Sequence, residues 1–240
     1  MDRRTLIKSF AGLAPVAAVV SATADNPVVN HRSVLPTEVS PVALPMPVRR
    51  GGLSYLTQDE AAQVGAIFDR LIPADDLGPG AREAGCVDFL DRQLAGDFGK
   101  ATAIYRRGPI VPGTPQQGPQ FKETPAERYR SGLAALDKHC RQAGGTGFAT
   151  LDSAKQDALL SELETGKLAL EGVDGVAFFA LMLQNVREGY FSDPMYGGNK
   201  DMAGWKLVGF PGARYDYRDV IAKKGQKLDL APVSMLGRDA

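Results

Sequence analysis

The sequence predicts a mainly α-helical fold: an irregular helical domain of about five helices, with long loops rich in glycine, proline and aromatic residues and an extended N-terminal arm. Two capping boxes stand directly ahead of apolar stripes at helical spacing, and no convincing run alternates apolar and polar residues as a half-buried strand would. A third observation is the abundance of 27 glycines and 16 prolines, the residues that punctuate helices and fill the connections between them. No internal repeat is visible.

The folded part begins at Leu53. Thr57-Gln58-Asp59-Glu60 forms a capping box, with Leu56 placed as its hydrophobic staple. Ala61, Val64, Phe68 and Leu71 then share one face, and Ile72-Pro73 ends the run. A second, shorter helix is predicted from Gly85 to Leu94, with Val87, Leu90 and Leu94 inward. Residues 96–120 read as loop, marked by the turn pairs Gly108-Pro109, Pro112-Gly113 and Gly118-Pro119.

Thr124-Pro125-Ala126-Glu127 restarts a helix, with Thr at the cap and Pro at the first helical position. Tyr129, Leu133, Leu136 and Cys140 form its inner stripe, and Gly144-Gly145 stops it. A fourth helix follows Asp152 or Ser153, uses Leu159, Leu160 and Leu163, and ends before Gly166. The fifth starts near Asp174, carries Val176, Phe179, Leu183 and Val186, and is expected to end at Gly189. Phe178, Leu181 and Met182 make it apolar on more than one side, so its expected place is central.

A chain of 240 residues can bury a real core, and its 44% apolar and 23% charged composition is that of an ordinary globular protein. The 28 basic residues balance 28 acidic ones, so no basic excess exists to neutralise a row of phosphates, and nucleic acid is not an expected partner. Two histidines and two cysteines are too few for an ordinary zinc or iron–sulfur site. No cofactor is therefore expected to be held by this chain alone.

Residues 1–24 have the layout of a signal peptide: Arg3, Arg4 and Lys8 at the start, an uncharged stretch from Ser9 to Ala24, then small residues suited to cleavage. Gly12 and Pro15 make the stretch a poor membrane-spanning helix. The paired arginines, two aliphatic residues and a lysine resemble a twin-arginine export signal, with Asp2 and Leu6 departing from the commonest pattern. Cleavage would leave 25 basic and 27 acidic residues, without a polybasic membrane anchor. Residues 25–52 form a Pro-rich arm whose valines need cover, from another protein or from the arm's own domain. After export, Cys86 and Cys140 are a candidate disulfide between the second and third helices; two separate buried thiols are the alternative.

No dinucleotide fingerprint, phosphate loop, nucleophile elbow or zinc-protease motif is present, and neither His31 nor His139 has a catalytic neighbourhood. The strongest local signal runs from Arg187 to Gly212, where Tyr190, Phe191, Tyr196, Trp205 and Phe210 are set among glycines and prolines. Aromatics on stiff loops make interface anchors; they also seal cores, and both readings are open. Asp193 and Asn199 are suited to a sugar hydroxyl, a hard metal ion or the capping of a turn.

The block Glu188-Gly189-Tyr190-Phe191-Ser192-Asp193-Pro194, then Tyr196-Gly197-Gly198-Asn199, Gly204-Trp205 and Gly209-Phe210-Pro211-Gly212 resembles the gluconate 2-dehydrogenase subunit 3 family. Leu56-Thr57 and Leu71-Ile72-Pro73-Ala74-Asp75 extend the resemblance, which covers about Leu53 to Gly212. It implies the small subunit of a membrane-associated gluconate, fructose, sorbitol or glucose dehydrogenase complex. An FAD-binding large subunit would take hydride from a C–H bond beside a hydroxyl, and a multi-haem cytochrome c would carry the electrons onward. The small subunit would be non-catalytic. It would bind the flavoprotein, carry it through the twin-arginine translocation machinery and aid its maturation. The expected location is the periplasm, with membrane contact only through partners. The candidate partner interface is Tyr190, Phe191, Asp193, Pro194, Tyr196, Asn199, Trp205 and Phe210. The alternative is a stand-alone periplasmic enzyme, or a carbohydrate-binding module with Trp205 and Tyr196 as stacking platforms.

Overall fold

Thr57 opens the first helix as its neighbours predict. In the computed structural model, which describes residues 52–236 apart from 105, 107, 112, 118, 119 and 215, its hydroxyl accepts the Glu60 amide while the Glu60 carboxylate accepts the Thr57 amide. The signal residues Arg3, Arg4 and Lys8 and the Pro-rich arm as far as residue 51 lie outside the described residues.

The described helices are α1 (Gln58–Leu71), α2 (Cys86–Ala95), α3 (Asp97–Lys100), α4 (Pro125–Gly144), α5 (Ser153–Glu164), α6 (Gly175–Phe191) and α7 (Ala203–Val208). Among the described residues there is no sheet, only three isolated bridges, and no helix is long and apolar enough to cross a membrane. The domain is therefore mainly helical.

The four longer helices that follow a side-chain cap begin where the sequence places their starts, with Asp152 rather than Ser153 as the cap of α5. Thr124 and Glu127 close the second capping box over α4, Asp152 accepts the Lys155 amide ahead of α5, and Asp174 accepts the Ala177 amide ahead of α6. Gly145, at φ 73°, ends α4 in the left-handed region where a side chain would be strained.

Helix α6 is central: it packs against α1, α2, α4, α5 and α7. Its buried side chains are Phe178, Phe179, Leu181, Met182, Val186 and Tyr190, and they meet Ile67 and Phe68 of α1, Leu90 of α2, Leu133 and Leu136 of α4 and Leu163 of α5 in one core. The Tyr129 ring stands edge-on to Phe178 at 5.8 Å. Polar groups inside this core are paired, as burial demands. Tyr129 donates to Asn185 Oδ1 at 3.0 Å, and Asn185 donates to Glu188 at 2.9 Å. Burial pushes the Tyr129 phenol well above its ordinary pKa. Gln63 of α1 donates to the Leu133 carbonyl of α4 at 3.1 Å.

Three expectations need correction. Residues 96–120 are not all loop: α3 adds one helical turn beyond Gly96, and residues 115–117 form a turn of 3-10 helix. Val176 is exposed, because the buried face of α6 is set by Phe178, Leu181 and Met182 and its first turn lies past the edge of the core. Helix α6 also runs through Gly189 to Phe191; there the missing side chain lets Cys86 and Phe89 of α2 approach closely.

The candidate disulfide is replaced by its alternative: Cys86 and Cys140 are free, buried thiols. Cys86 packs between α2 and α6, whereas Cys140 lies near the end of α4, beside Leu151 and Leu159. Burial raises Cys86 to about 12 and Cys140 to about 11, so neither forms thiolate at neutral pH. The folded chain is expected to resist alkylation at both positions until denaturant is added, and its melting temperature is expected not to change with reductant. Rapid native labelling of either cysteine would contradict this packing.

Candidate functional site

The glycine–aromatic block after α6 is built by close backbone approaches. A Cβ placed on Gly204 would lie 2.1 Å from the Tyr190 carbonyl oxygen, and one on Gly198 would lie 2.2 Å from that of Gly189. Only glycine lets α7 and the preceding turn press against the end of α6 at these points.

Asn199 locks the arrangement. Fully buried and at φ 46°, it donates to the Ser192 carbonyl at 2.8 Å and accepts the Gly204 amide at 2.8 Å. Trp205, only 6% exposed, donates its indole N–H to the Phe191 carbonyl at 2.7 Å. Tyr190, 2% exposed, donates its hydroxyl to the Pro79 carbonyl at 2.8 Å. Pro194 is buried and opens the short 3-10 turn Pro194–Tyr196.

The predicted interface residues therefore divide in two. Tyr190, Pro194, Asn199 and Trp205 are scaffold, with their polar atoms satisfied inside the chain; their aromatic and small character serves packing. Phe191, Tyr196 and Phe210 are exposed by 40%, 46% and 46%. Trp205 is unavailable as a stacking platform for a sugar ring, since its indole is enclosed and stands edge-on to Phe210 at 5.2 Å.

Asp193 does not face a ligand either. One carboxylate oxygen accepts the Met195 amide at 3.0 Å and the Ser234 hydroxyl at 2.7 Å, and the other accepts the Met235 amide at 2.9 Å. It ties the chain's last described turn to the block. Among the described residues no three His, Cys, Asp or Glu side chains are grouped as a metal site.

Three exposed side chains that sequence reasoning did not single out belong to the same region: Leu207, Val208 and Met235. Leu207 and Val208 had a signal, an apolar pair between Trp205 and Phe210. Met235 had none, because only the Asp193 contacts bring it to the block. The scaffold thus holds six apolar side chains toward solvent on a fixed backbone. Singly such residues are ordinary; these six come from the end of α6, the 3-10 turn Pro194–Tyr196, α7, the loop after it and the turn at Met235.

Elsewhere, a cavity of about 940 Å³ opens between residues 101–110 and the start of α4, lined in part by Ile104, Ile110, Phe121 and Arg128. Its most buried cation is occupied: Arg128 lies 3.5 Å over the Phe121 ring and donates to the Ala177 carbonyl at 2.9 Å. Burial lowers the pKa of that guanidinium.

The family model described as gluconate 2-dehydrogenase subunit 3 matches residues 58–212, and the chain belongs to that family. No curated protein and no solved structure gives a match. The match begins with the first residue of α1 and ends at Gly212, so it takes in the helical core and the whole block. Membership associates the chain with an oxidoreductase complex.

Proposed function

We propose that this chain is the non-catalytic small subunit of a periplasm-facing, FAD-dependent sugar or polyol dehydrogenase of the gluconate, fructose, sorbitol or glucose type. It binds the flavoprotein large subunit through the face carrying Phe191, Tyr196, Leu207, Val208, Phe210 and Met235. The observation that supports this reading best is the exposure of those side chains on a scaffold whose polar groups are internally satisfied. A preformed surface loses little conformational entropy on binding, which favours stable association.

In the complex, the large subunit would hold FAD, which would supply a hydride acceptor for the C–H bond beside a substrate hydroxyl while the hydroxyl proton leaves to a base or water, and a multi-haem cytochrome c partner would supply the onward electron path. The small subunit acts by binding linkage, holding the flavoprotein in its folded form. The basic start with Arg3, Arg4 and Lys8 fits delivery of the folded pair by the twin-arginine translocation machinery. Membrane association runs through the partners.

Gentle purification of the C-terminally tagged chain from the membrane fraction of its native host tests the reading. The expected result is a stoichiometric partner with flavin absorbance and dye-linked oxidation of a sugar or polyol. A chain recovered alone and without flavin would overturn it.

A further inference from the structure

The family match stops at Gly212, yet the chain beyond it is fastened to the matched block. Gly212 pairs with Val233 as an isolated parallel bridge, the Ala213 amide donates to the Val233 carbonyl at 2.7 Å, and the Val233 amide donates to Pro211 at 3.2 Å. A Cβ on Gly212 would sit 2.2 Å from the Val233 carbonyl oxygen and 2.9 Å from the Trp205 ring, so Gly212 is wedged between the returning chain and the scaffold tryptophan. Arg214 donates to the Ala231 carbonyl at 2.8 Å, and Asp193 holds Ser234 and Met235. Residues 216–230 thus leave from and return to one fixed base, the form of a large Ω-loop.

What this loop presents is specific. Tyr217 and Ile221 are exposed by 40% and 62%, and Lys223, Lys224 and Lys227 are exposed as well. Arg218 is neutralised by its ion pair with Asp216, but the three lysines have no ion pair among the described residues. Residues 216–230 carry four basic and three acidic residues; with Arg218 paired to Asp216, the three lysines stand against Asp219 and Asp229, and the positive surplus of one is gathered in the run Lys223-Lys224-Gly225-Gln226-Lys227. An exposed aliphatic and a tyrosine beside unpaired lysines suit a protein surface that is acidic around an apolar patch.

We infer that residues 216–230 are a second docking element, which recognises an acidic surface on the flavoprotein and sets which flavoprotein this chain accepts. The inference rests on the partner reading above. The apolar edge anchors the complex; the loop steers the encounter and rejects partners lacking the complementary charge. Charge at the margin of an interface acts mainly on the association rate and its salt dependence, which separates the two elements experimentally.

The test compares wild type with K223Q/K224Q/K227Q and with F210D, measuring association and dissociation against the FAD-containing protein that co-purifies with the tagged wild-type chain. Replacing the lysines is expected to slow association about tenfold at low salt and to flatten its salt dependence, with dissociation unchanged. F210D is expected to speed dissociation instead. Equal association rates and salt slopes for wild type and the lysine variant, with F210D still impaired, would overturn the loop's role while leaving the partner reading intact. So would lysine-dependent sedimentation with phosphatidylglycerol vesicles alongside unchanged flavoprotein association, which would make the loop a lipid contact. A wild-type chain that binds no flavoprotein would overturn both.

Discussion

Asp91→Ala is expected to destabilise the full chain by about 3 kcal/mol, a larger effect than any surface substitution. Asp91 is 1% exposed on the inner face of α2, and its carboxylate accepts three consecutive backbone amides: Ser54 at 2.6 Å, Tyr55 at 2.9 Å and Leu56 at 2.8 Å. These amides precede α1, where no helical partner exists for them. Hydrogen bonds to an ionised acceptor are each worth about 1.5–3 kcal/mol. Ser54 lies at the surface and can turn to water, so the three do not simply add.

Leu56 cannot turn to water, because its side chain is buried in the core and its amide bond to Asp91 is enclosed. The same segment carries Tyr55, which donates to the Ala126 carbonyl at 2.7 Å and lies under Arg130, the guanidinium 4.4 Å from its ring. Releasing residues 54–56 therefore also loosens the contact between the start of α1 and the start of α4. A midpoint lowered by on the order of 10 °C in a thermal melt is expected. Asp91→Asn is expected to recover part of the loss, since its one carbonyl oxygen still accepts but its NH₂ faces an amide donor. A melting temperature for Asp91→Ala within a degree of wild type would refute this account.

Asp91 also shows where sequence reading ends. The helix starts were legible because their information is local: Thr57 with Glu60, Thr124 with Glu127, Asp152 and Asp174 act within one turn. The inner stripes were legible through their spacing. By contrast, Asp91 in the sequence is one of several acids on a short amphipathic helix, and its partners lie 35 to 37 residues away. The glycine–aromatic block was visible as a composition, but which aromatics face water depends on contacts made after folding. Trp205 is enclosed, bonded to Phe191 with Gly212 close against its ring; Phe210, five residues on, is not. Asp193 does cap the turn at Met195, one of the roles its residue type suits, but its bonds to Ser234 and Met235, about forty residues away, leave no local trace.

The second large effect is expected at Gly204. Gly204→Ala would put a methyl group 2.1 Å from the Tyr190 carbonyl oxygen and 2.9 Å from the Tyr190 ring, both part of α6 and its buried end. Neither can move without disturbing the core, so α7 must shift, at a cost of about 3 kcal/mol. Shifting α7 breaks the Gly204–Asn199 bond and carries Trp205 away from the Phe191 carbonyl, which removes the backing from Phe210 and Val208. Helix α6 and the remaining core are untouched, so circular dichroism is expected to stay close to wild type while the proposed docking face is lost. Trp205 is the chain's single tryptophan, and its emission is expected to move to longer wavelength as it becomes wet. Recovery of the flavoprotein with the tagged chain is expected to fall at least about tenfold. Gly209→Ala supplies the contrast: its φ is +68°, but no atom lies within 4 Å of a Cβ there, so only about 1–2 kcal/mol of backbone strain is expected and the face survives. Unchanged tryptophan emission and full partner recovery in Gly204→Ala would mean that the close approach of α7 to α6 does not shape the docking face.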